Sequence, residues 1–429
     1  FAPDTGTITE YRSASGNGIR LDGGNGFTGS VITPYYDSLL VKVCAHDRTF
    51  NGACSKAVRA LKEMRVIGVK TNIGFLLNLL NHPVFRSGDC NTGFIGDNPE
   101  LLNIRAVADR EAQVLEFLGD MVVNGRKDKA GSFNVPQVPE IDLSEIKRLR
   151  GTKQLFEEKG AKGVSEWVLE QKKVLVTDTS LRDAQQSLLA TRVRTRDMEK
   201  IAPAMAYYGR DMFSYEMWGG ATFDVAMRFL GEDPWERLAV LRESIPNVLM
   251  QMLIRGANAV GYKNYPDNTI RKFVQEAYKG GIDVFRIFDS LNWTRGIEVA
   301  LDEVLNVGGI AEPTMCYTGD ILDTTRDKYT LDYYIKKAKA LEKQGAHIIG
   351  IKDMSGLLKP VAAFRLIKAL KNEVAVPIHL HTHDTSGNGV ATLMLAAEAG
   401  VDIVDAAFNS MSGLTSQPAL NSFVAALEN

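Results

Sequence analysis

At 429 residues with 45% hydrophobic content, the chain is long enough for two or three buried cores. Its 50 Lys and Arg nearly balance 52 Asp and Glu, for a net charge of -2, and no basic block runs through it, which excludes a nucleic-acid footprint. No apolar run reaches membrane-spanning length, and the four cysteines (Cys44, Cys54, Cys90, Cys316) form no CxxC pair, so neither a membrane anchor, a disulfide framework nor a thiolate metal site is expected.

The opening FAPDTGTITE lacks an initiating Met, a basic flank and an apolar signal core, and the closing LNSFVAALEN stops inside an amphipathic pattern, so both ends read as cut. Residues 1–98 alternate short β-rich runs (TGTITEY, GNGIRLD, TGSVITPYYDSLLVKVCAH) with a helical stretch, SKAVRALKEMRV, and predict a small α+β lobe. Gly24 to Gly29 spell a GxGxxG, but the strand-like SVITPYY follows it where a dinucleotide site needs a helix, so a turn is expected. Two helical patterns come next, TNIGFLLNLLNH and DREAQVLEFLGDMVVNG, the second stopping on Gly125. GRKDKAGSFNVPQVPEID is polar, has two prolines and no period, and reads as a linker. The expected division is 1–98 for the lobe, 99–150 for a helical linking segment and 151–429 for a larger domain.

From Lys172 onward a short apolar β-rich run, a loop and a helical stretch recur. The eight runs are VLVTDT, MFSYEMW, NVLMQMLIR, DVFRIFDS, EPTMCYTG, AHIIGIKD, VPIHLHTH and VDIVDAAF. Alternating strands and helices imply right-handed crossovers and a parallel sheet, and eight units predict a closed (β/α)8 TIM barrel. An open doubly wound sheet more usually has five or six strands.

Chemistry-bearing residues fall at the C-terminal ends of these strands, where barrel enzymes keep their sites. His381 and His383 are two apart on the seventh strand, so they share a face and can share one cation. His379 lies on the same face one layer deeper, as a core residue or a support for the ligands. Asp183, after the first strand, is the candidate oxygen ligand, and Asp178 is expected as a buried carboxylate near the barrel floor. Arg182 and Gln186 flank Asp183, and Arg255 closes the third run; guanidinium forks and an amide suit a small keto acid or carboxylate. Lys352 ends the sixth run: as an ammonium it would pair with Asp183 or Asp353, whereas as a carbamate it would offer oxygens to a metal. Cys316 reads as a packed thiol, with no base nearby.

TDTSLRDAQQSLLATRVRT, GGATFDVAMRFL, RGANAVGYKNYPDN, FRIFDSLNW, GIKDMSGLLKP, HLHTHDTSGNG and SMSGLTSQP together resemble the carboxyltransferase domain of the pyruvate carboxylases. GIRLD, PYYDSLL and GVKTN resemble the C-terminal lobe of that family's biotin carboxylase domain. The resemblance implies a divalent metal (Zn, Mn or Mg) on Asp183, His381, His383 and a carbamylated Lys352, pyruvate on Arg182, Gln186 and Arg255, and a biotin pocket beside Asp224 and Tyr262. It implies carboxyl transfer from carboxybiotin to pyruvate, giving oxaloacetate, with ATP and bicarbonate used at a lobe before Phe1. The biotin-carrying lysine and a proton-shuttling threonine would follow Asn429. An aldol-type lyase, the carboxyltransferase of a decarboxylase pump or transcarboxylase, and a bare scaffold are the rivals. Lys352 speaks against the first and the fused front lobe against the second.

The family also implies a homotetramer, with the segment 99–150 contributing oligomer and effector contacts. Its members are cytoplasmic in bacteria or mitochondrial; the expectation here is the cytoplasm, or the mitochondrial matrix for a eukaryotic source. Acetyl-CoA, where it activates, is bound with help from an Arg-x-Arg. Here that stretch keeps Arg65 but has Ile67 in place of the second arginine, so weak activation is expected, with Arg105 and Arg110 as candidate substitutes.

Overall fold

The computed structural model describes residues 4–35, 37–104, 137–139 and 141–428. The chain divides into two compact units, Phe1–Pro136 and Gln137–Asn429.

In the first unit, strands β1 (Gly6–Thr7), β2 (Glu10–Arg12), β3 (Ile19–Gly23), β4 (Val31–Ile32), β5 (Val41–Ala45) and β6 (Arg65–Ile67) pair antiparallel as β1 with β4, β2 with β6 and β3 with β5. The helix over Phe50–Glu63 starts five residues before the predicted stretch, because the Thr49 hydroxyl accepts the amide of Gly52 (3.0 Å) and caps it. It also stops before the predicted end: Met64 turns extended, and Arg65, Val66 and Ile67 pair with β2. Val66 and Ile67 are β-branched, and sheet pairing suits them better than a last helical turn. The GxGxxG forms a turn, as expected: the amides of Gly24 and Gly26 both donate to the carbonyl of Leu40, at 3.0 and 2.9 Å. The helix Ile73–Asn81 packs Phe75 against Phe94 and Leu101. The helix predicted up to Gly125 and most of the predicted linker lie outside the described residues, as do Arg105 and Arg110.

The second unit is the (β/α)8 barrel. Strands β7 (Leu175–Asp178), β8 (Ser214–Gly219), β9 (Leu249–Ile254), β10 (Val284–Phe288), β11 (Ile310–Cys316), β12 (Ile349–Asp353), β13 (Ile378–Thr382) and β14 (Ile403–Ala406) pair parallel in sequence order, and β14 closes on β7. Each of the eight predicted runs contains its strand or most of it. On β10, Phe285 and Ile287 join the apolar layer under the helices, while Arg286 takes the alternate, inward position. The inward positions around the barrel are unusually polar: Ser214, Glu216, Gln251, Arg286, Glu312, His379, His381 and Asp405 are all fully buried. Such a core persists only where its charges are paired and hydrogen-bonded.

A helical segment over Thr152–Glu170, broken at Gly160 (φ +67), precedes the first barrel strand and seals the other end. Its Phe156, Val164 and Val168 pack against Phe213, Leu249, Val284, Ile310, Ile348 and Ile403, residues that begin or immediately precede barrel strands. Polar ties fix it there: the Thr152 hydroxyl donates to the carbonyl of Phe213 (2.9 Å), and the Lys153 ammonium pairs with Asp283 (2.8 Å).

Candidate metal centre and active site

β7 ends on Asp178 and runs into a π-helical turn, Ser180–Ala184, a widened turn that places the consecutive residues Arg182 and Asp183 over the barrel mouth. Asp178 does not reach the barrel floor, where the sequence reading put it. It closes the strand, and its carboxylate accepts the Ser180 hydroxyl (2.8 Å), the Ser180 amide (3.1 Å) and the Phe408 amide (3.3 Å), clasping the first and last βα loops together. Burial pushes its pKa up to about 7 against the pull of those three donors.

Asp183 Oδ2 lies 3.1 Å from His381 Nε2 and 3.4 Å from His383 Nε2, and the two imidazole nitrogens are 3.2 Å apart. Both tautomers are set from behind. His383 Nδ1–H donates to the carbonyl of Thr415 (2.6 Å), and His381 Nδ1 is bound to the Asp405 carboxylate, so each Nε2 keeps its lone pair for a cation lying between the rings and Asp183. Ligands about 2.0–2.2 Å from one ion stand about 2.8–3.6 Å apart in octahedral or tetrahedral shells, so this donor set fits a divalent cation. Lys352 Nζ takes the fourth corner, 3.0 Å from His381 Nε2 and 3.6 Å from Asp183 Oδ2, while Asp353 turns to the other face of β12 and accepts the amides of Ser355, Leu357 and Leu358. Burial drives the Lys352 pKa down against the pull of Asp183, and burial together with Lys352 lowers that of His381. Burial alone would raise Asp183, but Arg182 and Lys352 outweigh it and hold the carboxyl well below the usual range.

Arg182 is fully buried: Nε donates to Glu216 Oε1 (2.5 Å), and NH1 to Asp183 Oδ1 (2.9 Å) and Gln186 Oε1 (3.5 Å). The Gln186 oxygen also accepts the Ala221 amide (3.0 Å). Gly220, at φ +55, leaves these groups room, since a Cβ there would stand 2.9 Å from Gln186 Oε1 and 3.0 Å from Arg182 NH1. A second grouping sits beyond β8 and β9: the Tyr262 hydroxyl donates to Asp224 (3.1 Å), the Arg255 guanidinium lies 5.4 Å from the Tyr262 ring, and its NH1 donates to the carbonyl of Gly261 (3.3 Å). Among the described residues no hydrogen bond or ion pair joins Arg255 to Arg182, Asp183, His381 or His383. Cys316 is buried and its thiol donates to the carbonyl of Asp289 (3.4 Å); burial pushes its pKa up to about 11.

Residues 1–97 match the model of the biotin carboxylase C-terminal domain, and residues 324–429 match the HMGL-like family model. All of the chain aligns with the pyruvate carboxylases of Staphylococcus aureus and Bacillus subtilis, at 58% and 55% identity. Along its whole length, then, this chain is similar to pyruvate carboxylases. It spans 38% of the length of each of those two relatives. Among solved structures, the complete multifunctional pyruvate carboxylase from Rhizobium etli superposes on the whole chain with a TM-score of 0.66 at 51% identity, and the chain covers 40% of it. The carboxyl transferase domain of the same enzyme, solved with pyruvate, covers 75% of this chain at 51% identity and a TM-score of 0.67, with 55% of that domain matched.

Sequence reasoning missed the residues that hold this site from below. Arg286 Nε donates to Glu312 (2.6 Å), NH1 donates to Glu216 Oε2 (3.2 Å) and to Asp405, and NH2 donates to Asp405 Oδ1 (3.2 Å). Glu216 therefore bridges Arg286 to Arg182, and Asp405 bridges Arg286 to His381. His379, expected one layer down, is there, bound to Glu312 (2.9 Å) and Asp405 (2.7 Å). The available signal was a lone charge inside each apolar strand run: SYEMW, FRIF, AEPTM and IVDA.

Proposed function

We propose that the barrel carries out the carboxyl-transfer half of pyruvate carboxylation, moving a carboxyl group from carboxybiotin to pyruvate to give oxaloacetate. The observation that carries the reading is the convergence of Asp183, His381 and His383, tautomers already set, beside the buried Arg182 and its neighbour Gln186. Asp183, His381, His383 and a carbamylated Lys352 would hold a divalent ion, Zn, Mn or Mg. When bound, that ion supplies a Lewis acid for the substrate's keto oxygen. Arg182, Gln186 and Arg255 anchor pyruvate, and Asp224 with Tyr262 lines the approach of biotin. Burial favours the neutral form of Lys352, whose lone pair adds to carbon dioxide: the N–C bond forms as one C=O π bond opens, the amine proton passes to water, and one negative charge shared by two oxygens stands where an ammonium would have no lone pair to offer.

By the same reading ATP and bicarbonate are consumed in the biotin carboxylase domain whose C-terminal part the first unit matches. The intact protein is then a homotetramer, activated weakly by acetyl-CoA; a Rhizobium etli relative has been solved with that activator. The compartment is the cytoplasm, or the mitochondrial matrix in a eukaryote; no helix among the described residues is long and apolar enough to cross a membrane.

The reading is tested in the intact protein with His381→Ala and His383→Ala. Each is expected to lose the barrel metal and oxaloacetate formation while bicarbonate-dependent ATP cleavage continues. Undiminished metal in both variants rejects the ligand set. A density map of crystals grown with bicarbonate is expected to show three additional heavy atoms on Lys352 Nζ, and a bare amine in metal-loaded crystals rejects the carbamate.

A further inference from the structure

The motif SMSGLTSQP contains a residue the reading above leaves without a task. Gln417 is fully buried, in the loop after β14, and its amide nitrogen donates to Asp183 Oδ2 (3.0 Å) while standing 3.4 Å from His383 Nε2. Its amide oxygen is held on the far side, accepting the Thr179 hydroxyl (2.8 Å). Asp183 thus has each oxygen gripped separately, Oδ1 by Arg182 NH1 (2.9 Å) and Oδ2 by Gln417. The same short loop sets His383, through the carbonyl of Thr415 (2.6 Å), and it is fastened to the β13 side by the Asp384 amide donating to the carbonyl of Ser416 (2.8 Å).

We infer that Gln417 is a positioning residue for the metal centre: its amide, oriented by Thr179, fixes the plane of the Asp183 carboxylate so that Oδ2 faces the two imidazoles before a cation arrives. The inference rests on the metal site proposed above. Without the amide, Oδ2 loses its hydrogen bond and keeps only the longer ion pair with Lys352 (3.6 Å), so the carboxylate can turn about the Arg182 grip on Oδ1 and the cation must order the ligand itself. Groups that orient a ligand in this way are worth about 10- to 100-fold in metal affinity.

The test uses Co2+ as probe on the intact protein, with a competing chelator to set the free ion and the visible d–d bands as a signature of geometry. Gln417→Ala is expected to weaken Co2+ by about 10- to 100-fold and to change the band envelope, with the melting temperature of the metal-free protein little altered. Should Gln417→Ala fail to fold, Thr179→Val leaves Gln417 in place but leaves its oxygen only the longer Ser416 hydroxyl contact (3.5 Å) and should weaken Co2+ in the same direction, whereas Thr179→Ser restores the hydroxyl and the affinity. Parent-like affinity and spectrum in Gln417→Ala, or in Thr179→Val where only that variant folds, overturn the positioning role. A parent protein that binds no Co2+ overturns the metal centre itself, a result distinct from the first.

Discussion

Two histidines two apart on a strand share a face whatever surrounds them, which is why His381 and His383 were legible from spacing alone. Their supports were not. Asp405 and Gln417 act on ligands carried by other strands and loops, and a linear pattern does not show which βα loops meet. Arg182 and Gln186 were legible as neighbours of Asp183, but their local commitment was not: the guanidinium is already bound to Glu216 and Asp183. Arg255 is the less encumbered fork, half-buried under the exposed Tyr262 ring with a carbonyl contact at 3.3 Å. A planar fork on a carboxylate is not replaced by a point charge, so Arg255→Lys is expected to abolish most pyruvate carboxylation in the intact protein with ATP cleavage retained. Steady-state assays of both half-reactions check this, and near-normal oxaloacetate formation removes Arg255 from the site.

Strands of the barrel were readable to within three residues because each is a short apolar run between loops; element ends in the first unit were less so. The stretch SKAVRALKEMRV has a helical period throughout, and what ended the helix early was a partner far away in sequence, β2, offering Arg65, Val66 and Ile67 a sheet edge. That placement bears on the effector. Arg65 is exposed, paired with Glu10 at 2.9 Å, and Ile67 is two residues on, facing the same side of β6 and opposite Glu10 in register. A guanidinium at 67 would stand beside that of Arg65 and could share Glu10 or a phosphate. Ile67→Arg is therefore expected to strengthen acetyl-CoA activation by about tenfold or more, the worth of one charge-assisted contact. Titration of acetyl-CoA against the intact protein and the variant checks it; strong activation of the parent at micromolar effector shows that Ile67 is no handicap.

Across the whole barrel, stability depends on a charged interior that must be balanced at working pH. His379 is flanked by Glu312, Asp405 and Arg286; burial pulls its pKa down, but the two carboxylates outweigh it and the value is raised above the ordinary one. Glu312 is raised by burial and lowered more by Arg286 and His379. The raised His379 contributes stability that is complete below its unfolded value of about 6.5 and is lost as pH rises through the folded value. The depressed Glu312 contributes stability present above about 4.3 and lost as pH falls through its folded value. For this pair the optimum lies between those two values, and His379→Gln is expected to flatten the alkaline decline. Urea unfolding of parent and variant from pH 5 to pH 9 tests it, with parallel profiles as the contrary result. The helix Thr152–Glu170 adds a constraint of another kind. With one end stoppered by Phe156, Val164 and Val168, the described residues leave the strand C-terminal rim as the way to the interior. Whatever reaches those buried charges, whether water, a proton or a keto acid, has to come and go past the same rim, so traffic there is two-way and a departing product shares its exit with the next arrival.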